Sequence, residues 1–344
     1  MRGIRGAPRP MVTIKDVART AGVSVATVSR VYNGSSQVRS ETRDLVQRIG
    51  SELGYSPNGA ARSLITSRSH TIGVLLPDLY GEFFSEVIRG IDVAAQRERY
   101  HLLVSSARND GPDLEAALRS MRGRVDGLIV MSPELDAEAA RRSLPAEFPV
   151  MLLNCPPSSA RYGSVAVENF EGASAMVAHL AGLGHRRIAI IRGADRNFDS
   201  AVRLRGYRAA LVAAGIQPDP ALEFGGDFSE RSGHDAARAI LSRGERPSAV
   251  FAANDCMAIG ALSAFREAGL RVPTDIALGG FDDIPMGRYM EPALTSVHVD
   301  ISALGERATV RLFSALRAPA DREAHRETLP TTLVVRRSCG AQRG

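Results

Sequence analysis

TIKDVARTAGVSVATVSRVYN, residues 13–33, is the stretch whose reading decides the rest of the chain. Thr13 stands where an N-cap belongs, with Asp16 three residues on in the reciprocal position, and Ile14, Val17 and Ala18 form one apolar stripe of a short helix. Gly22 interrupts the pattern and Ser24 reopens it as the cap of a second helix whose inward face is Val28 and Val31. Two short helices joined by a tight glycine turn make a helix-turn-helix, although the same pattern also fits a plain helical hairpin.

The outward face of the second helix begins Val25, Ala26, Thr27 and continues with Ser29 and Arg30. In a helix-turn-helix these first residues meet base edges in the major groove, where small apolar groups touch thymine methyls and arginine pairs with guanine. Charge supports that reading. Residues 1–68 hold 11 Lys and Arg against 4 Asp and Glu, whereas residues 69–344 hold 32 against 34, so the whole basic surplus is N-terminal. A basic head on a near-neutral body is the footprint of phosphate contact and argues against a membrane partner. Only one of the 43 basic residues is lysine, Lys15, a bias we read as genome composition.

Composition closes other routes. A length of 344 residues exceeds one ordinary core and implies a small domain beside a larger, bilobed one. No apolar run approaches 18 residues and residues 1–12 lack a secretory core, which places the protein in the cytoplasm, with the nucleoid as its site of action. Cys155, Cys256 and Cys339 are too few and too scattered for disulfides or a metal, and the seven histidines are equally dispersed. Without G-x-S-x-G, a P-loop, or G-x-G-x-x-G after a strand, neither an enzyme nor a cofactor is expected. A transporter's solute-binding protein would require an export signal and would have no basic headpiece.

Along the chain, residues 1–12 read as a disordered tail, and Met11, immediately before the motif, is a candidate true start; a basic arm on phosphate is the alternative. Ser40 is read as the cap of a third helix with Leu45, Ile49 and Leu53 on one face and Gly54 closing it, completing a headpiece over 13–56. Residues 57–68 read as a weak helix and linker, since Gly59 costs about 1 kcal/mol relative to alanine. From Thr71 short apolar runs (72–76, 101–105, 127–131, 150–153, 188–191, 249–253, 276–279) alternate with helical patterns (82–98, 170–183, 200–214, 229–241, 256–268). This is the mark of βαβ units and parallel sheets. The fold class is therefore a small all-α helix-turn-helix headpiece plus an α/β body over 69–338. That body resembles the periplasmic sugar-binding-protein type: two doubly wound parallel-sheet lobes, a ligand cleft beyond the carboxyl ends of the strands, and three crossovers near 168–169, 293–296 and 317–321. Residues 339–344 read as a tail, and no heptads follow Val335, so a homodimer without a coiled-coil tetramer is expected.

TIKDVARTAGVSVATVSRVYNG, and YSPNGAARSL at 55–64, resemble the lactose repressor / galactose repressor family of bacterial transcription regulators, and the likeness extends over nearly the whole chain. The resemblance implies a ligand-responsive regulator, a repressor gripping a near-palindromic double-stranded operator as a homodimer. Its DNA-facing set would be Thr13, Ser24, Val25, Ala26, Thr27, Ser29, Arg30 and Asn33. Residues 57–68 would be the family's hinge helix, ordered when two copies meet in the minor groove, with Arg62 there and Leu64 wedged into the central base step; a linker leucine packed on the body is the alternative. In the cleft, PDLYGEFF (77–84) resembles the segment whose aromatic pair borders the ligand, with Phe84 the choice over Phe83 to face it. Arg203 matches the arginine of R-x-x-G-[YF], Asn197 and Asp199 stand where ligand-lining residues often do, and Asp282 resembles a ligand-binding aspartate; for Arg203 a surface salt bridge is the other reading. Phe228 and Asp255 complete the set, Asp255 also being placed to cap a helix. Carboxylates, an asparagine, an arginine and aromatic faces suit a sugar or sugar derivative, because hydroxyls donate to carboxylates while the ring's apolar face stacks.

Overall fold

The computed structural model describes residues 12–32, 35–55, 68–107, 111–134, 144, 148–156, 162–318 and 325–340. The chain divides into two compact units, Met1–His70 and Thr71–Gly344.

Among the described residues the first unit holds three helices, α1 (Ile14–Ala21), α2 (Val25–Tyr32) and α3 (Ser40–Leu53). The Asp16 carboxylate accepts from both the backbone N–H (3.0 Å) and the hydroxyl (2.7 Å) of Thr13, tying down the start of α1. These bonds, the hydroxyl's first, hold the Asp16 carboxyl below its usual range. Gly22 ends α1 at φ 64, a left-handed conformation suited to glycine. Ser24 Oγ then accepts from the Thr27 N–H at 3.1 Å and opens α2. Val17, Ala18, Ala21, Val28, Val31, Val46 and Ile49 make the core. Two expectations for α3 need correction. Ser40 is its first helical residue and Arg39 occupies the cap without a side-chain bond. The buried face is Val46, Ile49 and Gly50 with Leu45 half-buried against the same core, and Leu53 alone of the expected stripe is exposed; Tyr32 lies so close over Gly50 that a Cβ there would meet its hydroxyl at 1.8 Å.

The second unit is built on two six-stranded sheets. In chain order it comprises β1 (Thr71–Leu76), α4 (Glu82–Arg97), β2 (His101–Ser106), α5 (Gly111–Met121), β3 (Gly127–Met131), β4 (Val150–Leu153), β5 (Gly163–Val167), α6 (Asn169–Gly182) and β6 (Ile188–Ile191). There follow α7 (Phe198–Ala213), β7 (Glu223–Phe224), α8 (Glu230–Leu241), β8 (Ala249–Ala252), α9 (Asp255–Glu267), β9 (Ala277–Asp282), β10 (Thr295–His298), α10 (Ile301–Arg317), β11 (Arg326–Leu329) and β12 (Thr332–Val334). One sheet runs β11-β5-β4-β3-β1-β2 and the other β12-β10-β9-β8-β6-β7, parallel throughout except for β10–β12. The central strands are buried along their length, as parallel strands covered on both faces must be. One apolar cluster joins the lobes, taking Ile72, Ile129 and Val165 from the first and Ile190, Phe251 and Phe281 from the second.

The chain changes sheet three times: between β5 and β6, between β10 and β11, and between β11 and β12. The first change falls at Glu168, where expected. The second follows β10, since α10 packs on α4 and on the strands of the first lobe, so it lies a few residues beyond 293–296. The third separates Leu329 from Thr332 and not 317–321; α10 runs through Arg317, and the short polar strand β11 that follows it stays in the first lobe.

Candidate functional site

In the headpiece, α2 turns Val28 and Val31 inward and leaves Val25, Ala26 and Arg30 exposed, with Thr27 and Ser29 half-buried. Val25 is 42% exposed, an apolar surface that the packing of the headpiece does not require. Thr27 is partly committed to the helix start, its hydroxyl 2.9 Å from that of Ser24. Thr13 and Ser24 are accounted for by capping. Asn33, Arg62 and Leu64 lie outside the described residues, as do all but the last residue of the 57–68 segment.

In the second unit the loops leaving β1, β3, β4, β6, β7, β8 and β9 converge on one cavity of about 310 Å³, at the carboxyl ends of the strands of both lobes. Asp78, Phe83, Phe84, Met131, Glu134 and Asn154 line it from the first lobe, and Asn197, Asp199, Arg203, Asp227, Phe228, Glu230, Asn254 and Asp282 from the second. Hydrogen bonds cross between the lobes among the described residues: the Phe198 N–H donates to the Pro133 carbonyl (3.0 Å) and the Met286 N–H to Glu82 Oε2 (2.9 Å). A shallower hollow of about 700 Å³ between α6 and α7 is lined mostly by alanines, with Arg186 the one charged group among its described lining residues.

Arg203 organises the polar floor. It is 4% exposed, so the surface ion pair is not its role. Its Nε donates to Asn169 Oδ1 (2.7 Å), its Nη1 donates to the Ala253 carbonyl, and its guanidinium lies 3.7 Å above the Phe281 ring. Asn169 passes the chain on, donating to Asp199 Oδ1 at 2.9 Å. Arg203 Nη2 stands 3.3 Å from Asp282 Oδ1, an ion-pair distance, yet that oxygen has no hydrogen-bond donor. Burial pushes the Asp199 and Asp282 carboxyls up to about 6, against the pull of the arginine.

Other candidates are sorted by geometry. Phe83 and Phe84 both border the cavity, packed edge-to-face at 5.5 Å, so the choice of Phe84 alone was too narrow. Asn197 lines the cleft while its Oδ1 caps α7, accepting from the Ser200 N–H. Phe228 reaches the cavity from a left-handed backbone (φ 74). Asp255 does not belong to the cleft lining. It is fully buried behind it, accepting from Ser296 Oγ (2.6 Å) and the Ile284 N–H (2.9 Å), and burial together with nearby Asp282 holds its carboxyl well above the usual range. The helix cap is its neighbour Asn254, which accepts from the Met257 N–H and also faces the cavity. Asn154 was missed. Its Oδ1 is buried without a hydrogen-bond partner, at the end of β4 with φ 45, and only the Leu-Asn step after an apolar run hints at it in sequence.

A basic helix-turn-helix unit in one chain with a bilobed body that converges polar and aromatic groups on an interlobe cleft defines a ligand-responsive DNA-binding regulator. Residues 13–58 match the model described as bacterial regulatory proteins, lacI family, and residues 177–339 that of a periplasmic binding protein-like domain. The chain is 35% identical over 332 residues to the HTH-type transcriptional repressor PurR of Pasteurella multocida, covering 95% of this chain and 98% of that one. It is also 35% identical over 324 residues to the ribose operon repressor of Escherichia coli K12, covering 93% and 98%. A lac repressor dimer solved with operator and the anti-inducer ONPF superposes with a TM-score of 0.88 at 33% identity, covering 96% of this chain and 100% of that one. The protein belongs to the lacI family of bacterial regulatory proteins, and it is a transcriptional regulator, not an enzyme. Among the described residues no helix is long and apolar enough to cross a membrane.

Proposed function

We propose that the protein is a cytoplasmic repressor that binds a near-palindromic operator as a homodimer, and that a small hydroxyl-bearing molecule, a sugar or close derivative, enters the interlobe cleft and alters its DNA affinity. The headpiece, residues 13–56, presents Val25, Ala26, Thr27, Ser29 and Arg30 to the major groove. Residues 57–68, with Arg62 and Leu64, act in the minor groove as the hinge between the units.

The observation that carries the ligand reading is a pair of poorly met acceptors. Asn154 Oδ1 on one lobe and Asp282 Oδ1 on the other are buried and line one cavity; the first has no hydrogen-bond partner among the described residues and the second is met only by the Arg203 ion pair at 3.3 Å. An unmet buried acceptor costs about 1–3 kcal/mol, so a molecule donating to both recovers that energy only when the lobes stand at the right separation. Phe83, Phe84 and Phe228 offer apolar faces to a ring. A known neighbour, the transcriptional regulator CelR in its cellobiose complex, carries a sugar; it is 33% identical, TM-score 0.72, and the match covers 95% of this chain and 99% of that one. Ligand that favours one lobe separation shifts the spacing of two hinges in a dimer, a coupling of about 1–3 kcal/mol in typical cases.

The test is a gel shift of the full-length protein on its own promoter region and on calf-thymus DNA at two salt concentrations, with and without a sugar panel. We expect tighter binding to the promoter, affinity falling steeply with salt, and a shift with at least one sugar that disappears in Asp282→Ala while promoter binding remains. Binding to DNA no stronger than that of a neutral protein of equal size would remove the regulator reading. A ligand response retained in Asp282→Ala would remove the cleft assignment.

A further inference from the structure

We infer that the cleft admits an uncharged, hydroxyl-bearing effector and excludes its phosphorylated form, because among the described residues six carboxylates and a single guanidinium line it. The inference rests on the cleft being the effector site, as proposed above, and specifies the chemistry of what binds there.

Six carboxylates line the cavity: Asp78, Glu134, Asp199, Asp227, Glu230 and Asp282. Arg203 is the one cation among the described lining residues. That guanidinium already donates to Asn169 and the Ala253 carbonyl, lies over the Phe281 ring and stands 3.3 Å from the Asp282 carboxylate, so a phosphate would have to compete with a resident carboxylate for it.

Helix N-termini would otherwise favour an anion, and α4, α7, α8 and α9 all begin beside the cleft. Each carries an acid in its first turn, namely Glu82, Asp199, Glu230 and Asp255. The starts of α7, α8 and α9 are further closed by Asn197, Ser229 and Asn254, which accept from the N–H groups of Ser200, Ser232 and Met257. An acid in the first turn of all four helices, and one N–H met by the cap in three of them, thus oppose an anion at these helix ends.

What remains open in the cavity are acceptors. Among the described residues Asn154, 3% exposed, holds an oxygen without a hydrogen-bond partner, and Asp282, 5% exposed, holds one met only by the Arg203 ion pair. A neutral polyol supplies donors to both. A phosphate monoester brings roughly −1.5 to −2 charges and only acceptors on that group, into a site already dominated by negative charge.

The experiment is calorimetric titration of the full-length protein with ribose against ribose 5-phosphate and glucose against glucose 6-phosphate. Each pair is run on wild type and on Asp227→Asn/Glu230→Gln, where Asn keeps the oxygen that accepts from Ser229. Asp78→Asn, on the opposite lobe, is the second variant should the first fail to fold. We expect at least about a tenfold preference for a free sugar over its ester in wild type, narrowing severalfold in the neutralised variant. An ester that binds wild type as tightly as the free sugar, or a preference that does not narrow in the variant, overturns the inference and leaves the cleft as the effector site. Failure of both proteins to bind any free sugar overturns the hydroxyl-bearing reading instead. The exclusion of anions then stands if an ester binds the variant and not wild type, and falls if it does not.

Discussion

Replacing Arg203 by methionine keeps most of the buried stem and removes the charge on which the polar floor of the cleft depends. The guanidinium donates to Asn169 and to the Ala253 carbonyl and lies 3.3 Å from Asp282. Breaking a buried ion pair by deleting one partner costs about 3–5 kcal/mol, and the stranded acceptors fall within that sum. The loss depends on pH, and its sign follows from the carboxyls. Asp199 and Asp282 are pushed up to about 6 by burial with the arginine present, and go higher without it. A carboxyl raised on folding binds more protons in the native state, so its contribution declines as pH rises from its unfolded value near 4 through its folded value. In wild type that window ends near 6; in Arg203→Met it extends upward. The difference between the two proteins is therefore largest near pH 7.5 and shrinks toward pH 5, where both carboxyls are protonated in either fold. Guanidinium unfolding followed by far-UV circular dichroism measures it, the chain having no tryptophan to report by fluorescence. An equal loss at both pH values, or a loss below about 1 kcal/mol at pH 7.5, would refute the account of Arg203 as the counter-charge of the floor.

Two further substitutions test the packing. Ser24→Ala removes the cap of α2 and should cost the headpiece about 1 kcal/mol, seen as faster hydrogen exchange in residues 25–32 with no change in the body; unaltered exchange would show that the Ser24 bond to Thr27 contributes nothing. Gly90→Ala places a Cβ 1.9 Å from the Ser302 carbonyl oxygen, where α4 meets α10, and backbone cannot turn aside. It should lower stability by roughly 1–3 kcal/mol or more, whereas Gly182→Ala at the end of α6, with nothing within 4 Å, should be neutral or slightly stabilising. A thermal scan that fails to separate the two would contradict the close approach of α4 and α10.

The headpiece was legible because its determinants are local: Thr13 with Asp16, Gly22 and Ser24 each act within four residues of where they stand. The boundary at Ser40 slipped by one because a serine beside an acidic turn reads as a cap whether or not its backbone is already helical. In the body, strands such as Ile188–Ile191 announce themselves by unbroken burial, while β7, β11 and β12 are two to four residues long and partly polar. They are strands because neighbours pair with them, which no window along the chain contains. The third crossover was misplaced for that reason, since Arg326–Leu329 belongs to the first lobe only through its register with Ser164–Val167. Asn254 takes the cap and the place at the cleft expected of Asp255 on similar grounds: both can cap a helix, and only the depth of Ser296 and Ile284 decides which of the two turns away from the cleft.

What sequence could least foresee is the backbone at the cleft. Asn154, Phe228, Asp282 and Asp283 all have positive φ, at 45°, 74°, 101° and 55°, and none is glycine. Three line the cavity and the fourth adjoins it. Conformations of this kind cost about 1–3 kcal/mol each and persist only where the surroundings over-determine them. The surroundings do so here. Asn254 Nδ2 donates to the Phe228 carbonyl, the Asp283 N–H donates to Ser296 Oγ, and the Asp283 carboxylate is gripped by Arg336 and His298. A chain selected for stability alone would place glycine at such turns, yet glycine would carry neither the Asn154 and Asp282 oxygens nor the Phe228 ring into the cavity. Strain, burial and unmet acceptors thus coincide at the ends of β4 and β9, one in each lobe. That coincidence is what a site assembled to be completed by another molecule requires.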